Sequence, residues 1–329
     1  MTTSILLAMA AIIVGFIVLL WSADRFVLGA SVMAKVFNVS PLIIGILIVG
    51  FGTSAPEMLV SAIAALEGNS GISIGNAIGS NIINVGLVLA ITALFYPLQI
   101  KSRLVKREMP ILLLAMAVAA ALLYDLHLSF MDGAILIAGM VGMLLFTLWD
   151  VRQNSEGDAL TAEWEEEMPE DSGLGFAVTW LLVGLGLLLA SSKLLVWGAV
   201  EIATIMGIDD LIIGLTIVAI GTSLPELAAT IAAARRSEDD IAVGNIVGSN
   251  IFNIVGVMAL PGLLNPSAVA PEVMSRDFPM MVVMTVVLLI FAWNFRASRE
   301  VGVISRFKGV CLLALYIAHS VMLYQAVAG

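Results

Sequence analysis

Two glutamates stand inside apolar stretches of this sequence, where a charge is costly. Glu57 ends the stretch PLIIGILIVGFGTSAPE at 41–57, and Glu226 ends DLIIGLTIVAIGTSLPE at 210–226. An acid at the centre of a bilayer costs about 2.5–3.5 kcal/mol on insertion scales, and such residues usually face the bundle interior and mark ion pathways. Neither stretch contains Lys or Arg. Two carboxylates without a basic neighbour match the charge of one divalent cation; the alternative is a pair of protonated acids that hold helices together.

The residues just before each glutamate predict a broken helix. Both copies read Gly-Thr-Ser-x-Pro-Glu. Because proline has no N–H, Pro56 removes the helical partner of the Gly52 carbonyl, and Pro225 does the same for Gly221. At membrane depth such carbonyls are tolerated where they line a cavity, and in transporters they coordinate cations. An ordinary proline kink is the alternative, but two copies that each end in Glu favour an ion site. Hydroxyl oxygens are added by Thr53, Ser54, Thr222 and Ser223.

A second motif, Gly-Asn-x-x-Gly-Ser-Asn-x-x-Asn, follows each glutamate. On a helix, Asn76, Ser80 and Asn84 are spaced i, i+4 and i+8 and form one polar stripe. The second copy supplies Asn245, Ser249, Asn250 and Asn253. Asn81 points about 100° away from Ser80, and we interpret it as a cap for the broken helices. Close packing through small Gly and Ser residues is the alternative reading of this motif.

The available ligands are oxygens, which suit hard cations such as Ca²⁺ and Na⁺ and argue against zinc or copper. His127 and His319 lie away from both motifs. We therefore expect no resident cofactor, only transported ions.

The two motifs form an internal repeat with a constant offset. Every matched position, from the first motif to the second, is separated by 169 residues without a gap. Upstream positions keep the same offset, and they are Ser22 with Ser191, Gly29 with Gly198, and Ala34 with Ala203. A repeat of this length predicts two halves with the same fold.

Composition identifies the class of protein. Of 329 residues, 60% are hydrophobic and 12% charged, which excludes an ordinary soluble domain. The net charge of −10 argues against a nucleic-acid surface, and Cys311 is the only cysteine, so no disulfide can form within the chain. Apolar stretches predict ten spans, near 4–23 (extending to 36 if an amphipathic part is included), 41–66, 72–98, 109–125, 133–150, 174–197, 210–234, 241–264, 278–295 and 308–327.

Five spans per half make the second half enter the membrane from the opposite side. The predicted fold is an all-α polytopic membrane protein of ten transmembrane helices, arranged as two inverted five-helix repeats with broken helices at the midplane. Residues 1–150 form the first half, with its repeat motif at about 41–90, and 174–329 form the second, with its motif at about 210–260. The acidic segment 151–173 is read as a solvated linker.

The basic residues predict the orientation. With the N-terminus outside, 12 of the 15 Lys and Arg residues fall in cytoplasmic segments. The positive-inside bias therefore predicts that both termini are outside and that the linker is cytoplasmic.

GTSAPE with GNAIGSNIIN, and GTSLPE with GNIVGSNIFN, resemble the two α-repeats of the sodium/calcium exchanger family within the calcium/cation antiporter superfamily. The resemblance extends over the whole chain, which is similar to the prokaryotic form of the family. It implies a location in a bacterial or archaeal plasma (inner) membrane and a functional monomer. It also implies antiport of Na⁺ against Ca²⁺, commonly three to one, by alternating access in which the first and sixth helices slide across a fixed core.

Carried over by position, the resemblance assigns the ion ligands. It implies Ca²⁺ ligands at Glu57, Glu226 and the carbonyls of Thr53 and Thr222. It implies Na⁺ ligands at the same two glutamates, at Ser54, Ser80, Ser223 and Ser249, and at the carbonyls of Gly50 and Ala219. A central polar pair falls on Asn84 and Asn253. Some relatives carry Asp at the position of Asn253, which is associated with K⁺ use, so Asn there implies that K⁺ is not required.

Three other functions remain to be distinguished. A proton/calcium antiporter of the same superfamily would carry Glu where this chain has Gly79 and Gly248. A cation channel would need a continuous conduit and would conduct without a counter-ion. An intramembrane enzyme is disfavoured because no HExxH motif or Ser/His pair appears.

Overall fold

A computed structural model describes residues 2–37, 39–101, 104–153, 173–206, 219–293 and 301–328. Most of the acidic linker, and the first residues of the predicted span 210–234, lie outside the described residues. Its helices in the first half are α1 (Thr2–Val36), α2 (Pro41–Ile44), α3 (Phe51–Thr53), α4 (Ala55–Leu66), α5 (Ser70–Ile83), α6 (Ala90–Phe95), α7 (Met109–Leu122) and α8 (Phe130–Gln153). Those in the second half are α9 (Leu174–Ile205), α10 (Ala219–Thr222), α11 (Leu224–Arg235), α12 (Asp239–Phe252), α13 (Ala259–Leu264), α14 (Phe278–Ala292) and α15 (Arg306–Ala328).

Several helices contain a π-helical turn, in which the helix is locally wider. Two pairs of these turns keep the repeat offset: Asn84–Leu89 with Asn253–Val257, and Leu104–Glu108 with Val273–Asp277. A further turn, Gly45–Gly50, joins α2 to α3. Such turns inside helices are frequent at functional sites. These turns were not predicted from the sequence.

The predicted break before Glu57 is present. The helical segments Gly45–Thr53 and Ala55–Leu66 meet at an angle of 47°. Over the described residues, seven helices are long and apolar enough to cross a membrane, and this bent pair makes eight. Of the other two expected spans, 109–125 contains the 14-residue helix α7, and 210–234 begins outside the described residues. The count of ten therefore stays a prediction.

Helix α1 continues to Val36, well past the first predicted span end at residue 23. Its polar residues Ser22 and Ser31 are buried, so the protein rather than the membrane surface surrounds this part of the helix. α1 packs along α9, and glycines let the two backbones approach closely. A Cβ added at Gly29 would lie 2.6 Å from the Leu181 nitrogen, and one at Gly184 would lie 2.7 Å from the Phe26 nitrogen.

Two short β-ribbons join loops from the two halves. Strand β1 (Leu98–Lys101) pairs antiparallel with β4 (Val301–Ile304), and β2 (His127–Leu128) pairs with β3 (Ser267–Ala268). Helix α7 runs between β1 and β2, so the ribbons lie at opposite ends of the molecule. In the predicted topology, an even number of membrane spans lies between the two strands of each ribbon. Both strands are therefore expected on the same side of the membrane, which agrees with the observed pairing.

We predict that Gly184→Ala destabilises the protein while Gly186→Ala does not. Both changes bring the same gain in helix propensity, but nothing lies within 4 Å of a Cβ at Gly186, whereas a Cβ at Gly184 overlaps the backbone of α1. Overpacking of this kind costs about 1–3 kcal/mol. Thermal unfolding of the purified variants in detergent checks this, and equal melting temperatures would contradict the close approach of α1 and α9.

Candidate functional site

The two glutamates predicted from the sequence are buried at the start of equivalent helices. Glu57 lies in the first turn of α4 and Glu226 in the first turn of α11, and their side chains are 1% and 0% exposed. Each helix begins after a serine in a non-helical conformation, Ser54 or Ser223, with proline in its first turn. Proline is well tolerated there because the first N–H groups of a helix have no intrahelical partner. The break in each helix therefore directs its glutamate side chain into the buried interior of the protein.

Equivalent amides brace the two glutamate turns. The Asn76 Nδ2 donates to the Glu57 carbonyl at 3.1 Å and to Ser61 Oγ at 3.0 Å. In the second half, Asn245 Nδ2 donates to the Glu226 carbonyl at 3.2 Å, and to Thr230 Oγ1 at 2.8 Å. Helix α5 thus holds α4 in the same way that α12 holds α11.

Further bonds cross between the repeats. The Ser54 hydroxyl donates to Glu226 Oε1 at 3.4 Å, and Thr53 Oγ1 donates to Asn245 Oδ1 at 3.0 Å. The Ser249 hydroxyl donates to the Gly50 carbonyl at 3.1 Å. Residues from both motifs of both halves therefore meet in one place.

Four asparagines of α5, α12 and the π-helical turns that follow them form a network between the repeats. Asn84 Nδ2 donates to Asn250 Oδ1, and the equivalent Asn253 Nδ2 donates to Asn81 Oδ1, both at 3.1 Å. Asn81 Nδ2 also donates to the Asn250 carbonyl at 3.2 Å. Our interpretation of Asn81 as a cap for the broken helices was therefore wrong: it bridges to the other repeat. The central pair Asn84 and Asn253 is the donor half of a set of four.

Six buried polar atoms at this site have no hydrogen-bond partner among the described residues. Four are oxygens in two repeat-related pairs, Glu57 Oε2 with Glu226 Oε2 and Asn84 Oδ1 with Asn253 Oδ1, and the other two are Ser223 Oγ and Asn250 Nδ2. In the same described ranges, neither glutamate forms an ion pair with Lys, Arg or His. Buried polar atoms are nearly always satisfied, so these exceptions need an explanation. Carboxylate and amide oxygens are the ligands that hard cations such as Ca²⁺ prefer.

One of the carbonyls freed by proline is used differently from our expectation. The Gly221 carbonyl accepts a bond from the Ser192 hydroxyl of α9 at 3.0 Å. Helix α9 lies against the break and supplies the missing donor. Of the carbonyls implied as Na⁺ ligands, that of Gly50 accepts the Ser249 hydroxyl, whereas Ala219 directly follows residues outside the described ranges.

The other predicted residues surround the same cluster. Ser80 and Ser249 are buried on α5 and α12, and Ser54 and Ser223 are buried at the two helix breaks. Thr222 ends α10. Ser61 and Thr230 also belong to the site and were not predicted from the sequence. Both lie four residues after a glutamate and keep the repeat offset, so helical spacing could have identified them.

Comparison with known proteins gives consistent matches over both halves. The family described as "Sodium/calcium exchanger protein" matches residues 7–149 and 176–325. The putative antiporter CaxA of Alkalimonas amylolytica is 43% identical over 98% of this chain and 100% of its own length. The inner membrane protein YrbG of Escherichia coli is 43% identical, with 97% of each chain covered. A solved structure of the sodium-calcium exchanger NCX_Mj has a TM-score of 0.81 at 35% identity and covers 97% of this chain and 99% of its own.

We predict that Asn84→Ala and Asn250→Ala are energetically coupled. Either change alone leaves a buried amide group unpaired, and the second change then costs less. Interaction energies within such networks are about 0.5–3 kcal/mol. A double-mutant cycle by thermal unfolding in detergent, without Na⁺ or Ca²⁺, measures this coupling. Asn84→Ala with Asn76→Ala is the control pair, because these residues share no hydrogen bond and should be additive. Additive effects in both cycles would contradict the network.

Proposed function

The chain belongs to the sodium/calcium exchanger protein family, which matches each of its halves, and on that premise we propose that it exchanges Na⁺ for Ca²⁺ by alternating access. Membership of this family makes it a membrane transporter that moves Ca²⁺ against another cation rather than an enzyme. The relatives named as membrane or inner membrane proteins agree with its apolar helices.

The observation that carries this proposal is the pair of buried carboxylates, neither of which has a basic partner among the residues that the structure describes. Two ionised glutamates give the site a charge of −2, which is costly to carry across an apolar barrier. One Ca²⁺, or at least two Na⁺, neutralises that charge. Because both ions need Glu57 and Glu226, they compete for the same site. Only the ion-loaded states of the protein interconvert between the two sides of the membrane. The inward Na⁺ gradient can then drive Ca²⁺ out.

We further propose how the surrounding oxygens divide between the ions. Ca²⁺ binds to Glu57 and Glu226 with the carbonyls of Thr53 and Thr222. Na⁺ ions bind at the glutamates with hydroxyls and carbonyls from both repeats, namely Ser54, Ser80, Ser223, Ser249, Gly50 and Ala219. The unpartnered oxygens of Asn84 and Asn253 support a place for the central pair in the same site.

We also propose a stoichiometry, an ion dependence and an orientation in the membrane. Three Na⁺ exchange for one Ca²⁺ in a monomer, which makes the cycle electrogenic, and K⁺ is not required because both halves carry Asn at the central pair. The protein lies in the plasma (inner) membrane with both termini outside and the acidic linker in the cytoplasm.

Proteoliposomes loaded with Na⁺ and diluted into Na⁺-free choline buffer should take up radioactive Ca²⁺. The outward Na⁺ gradient supplies the driving force, so uptake needs internal Na⁺ and proceeds without K⁺. Uptake that follows a pH gradient instead would identify a proton antiporter, and uptake that requires K⁺ would identify a potassium-dependent exchanger. Flux that is indifferent to every gradient would identify a channel.

Glu57→Gln and Glu226→Gln should each abolish this Ca²⁺ uptake without unfolding the protein, because glutamine keeps the shape but removes half of the site charge. Glu272→Gln is the control, since it removes an equal charge from an exposed position. Size-exclusion profiles in detergent check folding. Ca²⁺ flux close to wild type in either site variant would overturn the assignment of these glutamates.

A further inference from the structure

Four charged residues outside the ion site form two pairs related by the repeat offset. Asp24 on α1 is equivalent to Lys193 on α9, and Arg236 after α11 is equivalent to Glu67 after α4. Each pair consists of an acid and a base, one on a long helix and one in a loop. The signs are reversed between the halves, yet each combination can form an ion pair.

One of these pairs is formed. Arg236 Nε lies 2.8 Å from Asp24 Oδ1, and Nη2 lies 2.7 Å from Oδ2. This two-pronged geometry is the strong form of an Arg–carboxylate bond. The two side chains are 31% and 27% exposed, so the pair is partly shielded from water. It ties α1 to the loop between α11 and α12.

The equivalent pair is open. Glu67 and Lys193 are both exposed, and no ion pair joins them in the described part of the chain. The two loops nevertheless share one backbone shape. Gly68 and Ser237 both have positive φ, +84° and +60°. The next N–H in each loop returns to an equivalent carbonyl, as Asn69 N to Ala64 O at 2.8 Å and Glu238 N to Ala233 O at 2.9 Å. The loop therefore holds Glu67 in the same way that the other loop holds Arg236, but over the described residues no ion pair joins Glu67 to α9 as one joins Arg236 to α1.

Helix packing shows the same asymmetry. Helix α1 packs along α11, whereas the equivalent helices α9 and α4 have at most marginal contact over their described lengths. On α4, Leu59 and Ile63 are each 47% exposed, while the equivalent Ala228 and Ala232 on α11 are 3% and 8% exposed. One long helix therefore covers its broken partner, and the other leaves it uncovered.

The formed and open pairs lie at opposite ends of the molecule. The Gln99 N–H of β1 donates to Asp239 at 2.9 Å, which places the Arg236 loop beside the β1–β4 ribbon. Ser70 Oγ donates to the Asn265 carbonyl at 2.8 Å, which places the Glu67 loop near the β2–β3 ribbon. The ion pair is thus formed at one end of the protein and open at the other.

We propose that Asp24–Arg236 and Lys193–Glu67 are two latches that form in alternation during transport. Inverted repeats reach the opposite-facing state by exchanging conformations between the halves. In that state α1 leaves Arg236, and α9 covers α4 and brings Lys193 to Glu67. The four residues do not touch the ions; they position the long helices at the two ends of the cycle. This inference rests on the proposed alternating access.

Cross-linking tests the alternation directly. In a Cys311→Ser background, one protein carries Asp24→Cys with Arg236→Cys, and another carries Glu67→Cys with Lys193→Cys. A short bismaleimide should link the first pair readily. It should link the second pair only when Na⁺ and Ca²⁺ together allow turnover, and each link should stop Ca²⁺ uptake. A second pair that never links under turnover, or a first pair that fails to link at all, would overturn the proposal.

The charges themselves are tested by single substitutions in the second cysteine pair. Arg236→Gln releases α1, so it should speed the Glu67→Cys/Lys193→Cys link by about two- to fivefold, the range expected for a partly exposed ion pair. Arg235→Gln, at an exposed neighbour, should leave the rate unchanged. Equal rates in both variants would overturn the role of the ion pair. Linking is read on gels, so it can also be followed under a pH gradient with Ca²⁺. A second pair that links there, but not with Na⁺ and Ca²⁺, would refute only the Na⁺ assignment.

Discussion

The structure depends on two carboxylates that are buried without a basic partner in the described part of the chain. A Lys or Arg beside Glu57 or Glu226 would lower the cost of burial, but it would also take the place of the cation. The chain instead positions these acids with neutral groups, such as the amides of Asn76 and Asn245 that bond the glutamate carbonyls. Under the proposed function both acids are ionised and no protein charge compensates them among the described residues, so a bound cation supplies the balance.

The repeat made much of this site predictable from sequence. A constant offset links both glutamates, both prolines and every asparagine of the second motif, so each residue found in one half identified its equivalent in the other. Periodicity along one helix, however, carries no information about a neighbouring helix. Asn81 was therefore misread as a cap, although it reaches the other repeat, and the donor that Ser192 supplies to Gly221 was not foreseen. The π-helical turns were missed because apolar periodicity does not distinguish them from α-helix over five or six residues.

Sequence symmetry also concealed the difference between the halves. Equivalent motifs predict equivalent folds, and the loops after α4 and α11 do share their backbone bonds. What differs is the position of each long helix relative to its broken partner, which no local pattern encodes. A chain whose repeats are alike in fold but unlike in conformation has a second conformation available at similar energy, obtained by exchanging the two. This is the physical basis of alternating access in inverted-repeat transporters.

The reversed signs of the two charged pairs agree with the predicted inverted topology. The positive-inside bias favours Arg in a cytoplasmic loop, and the loop that carries Arg235 and Arg236 is expected there. The equivalent loop, which carries Glu67, is then outside, where the bias does not favour a basic residue. A helix residue that pairs with each loop must carry the opposite charge, which is what Asp24 and Lys193 do. Two requirements, orientation in the membrane and closure at each end, are therefore met by the same four side chains.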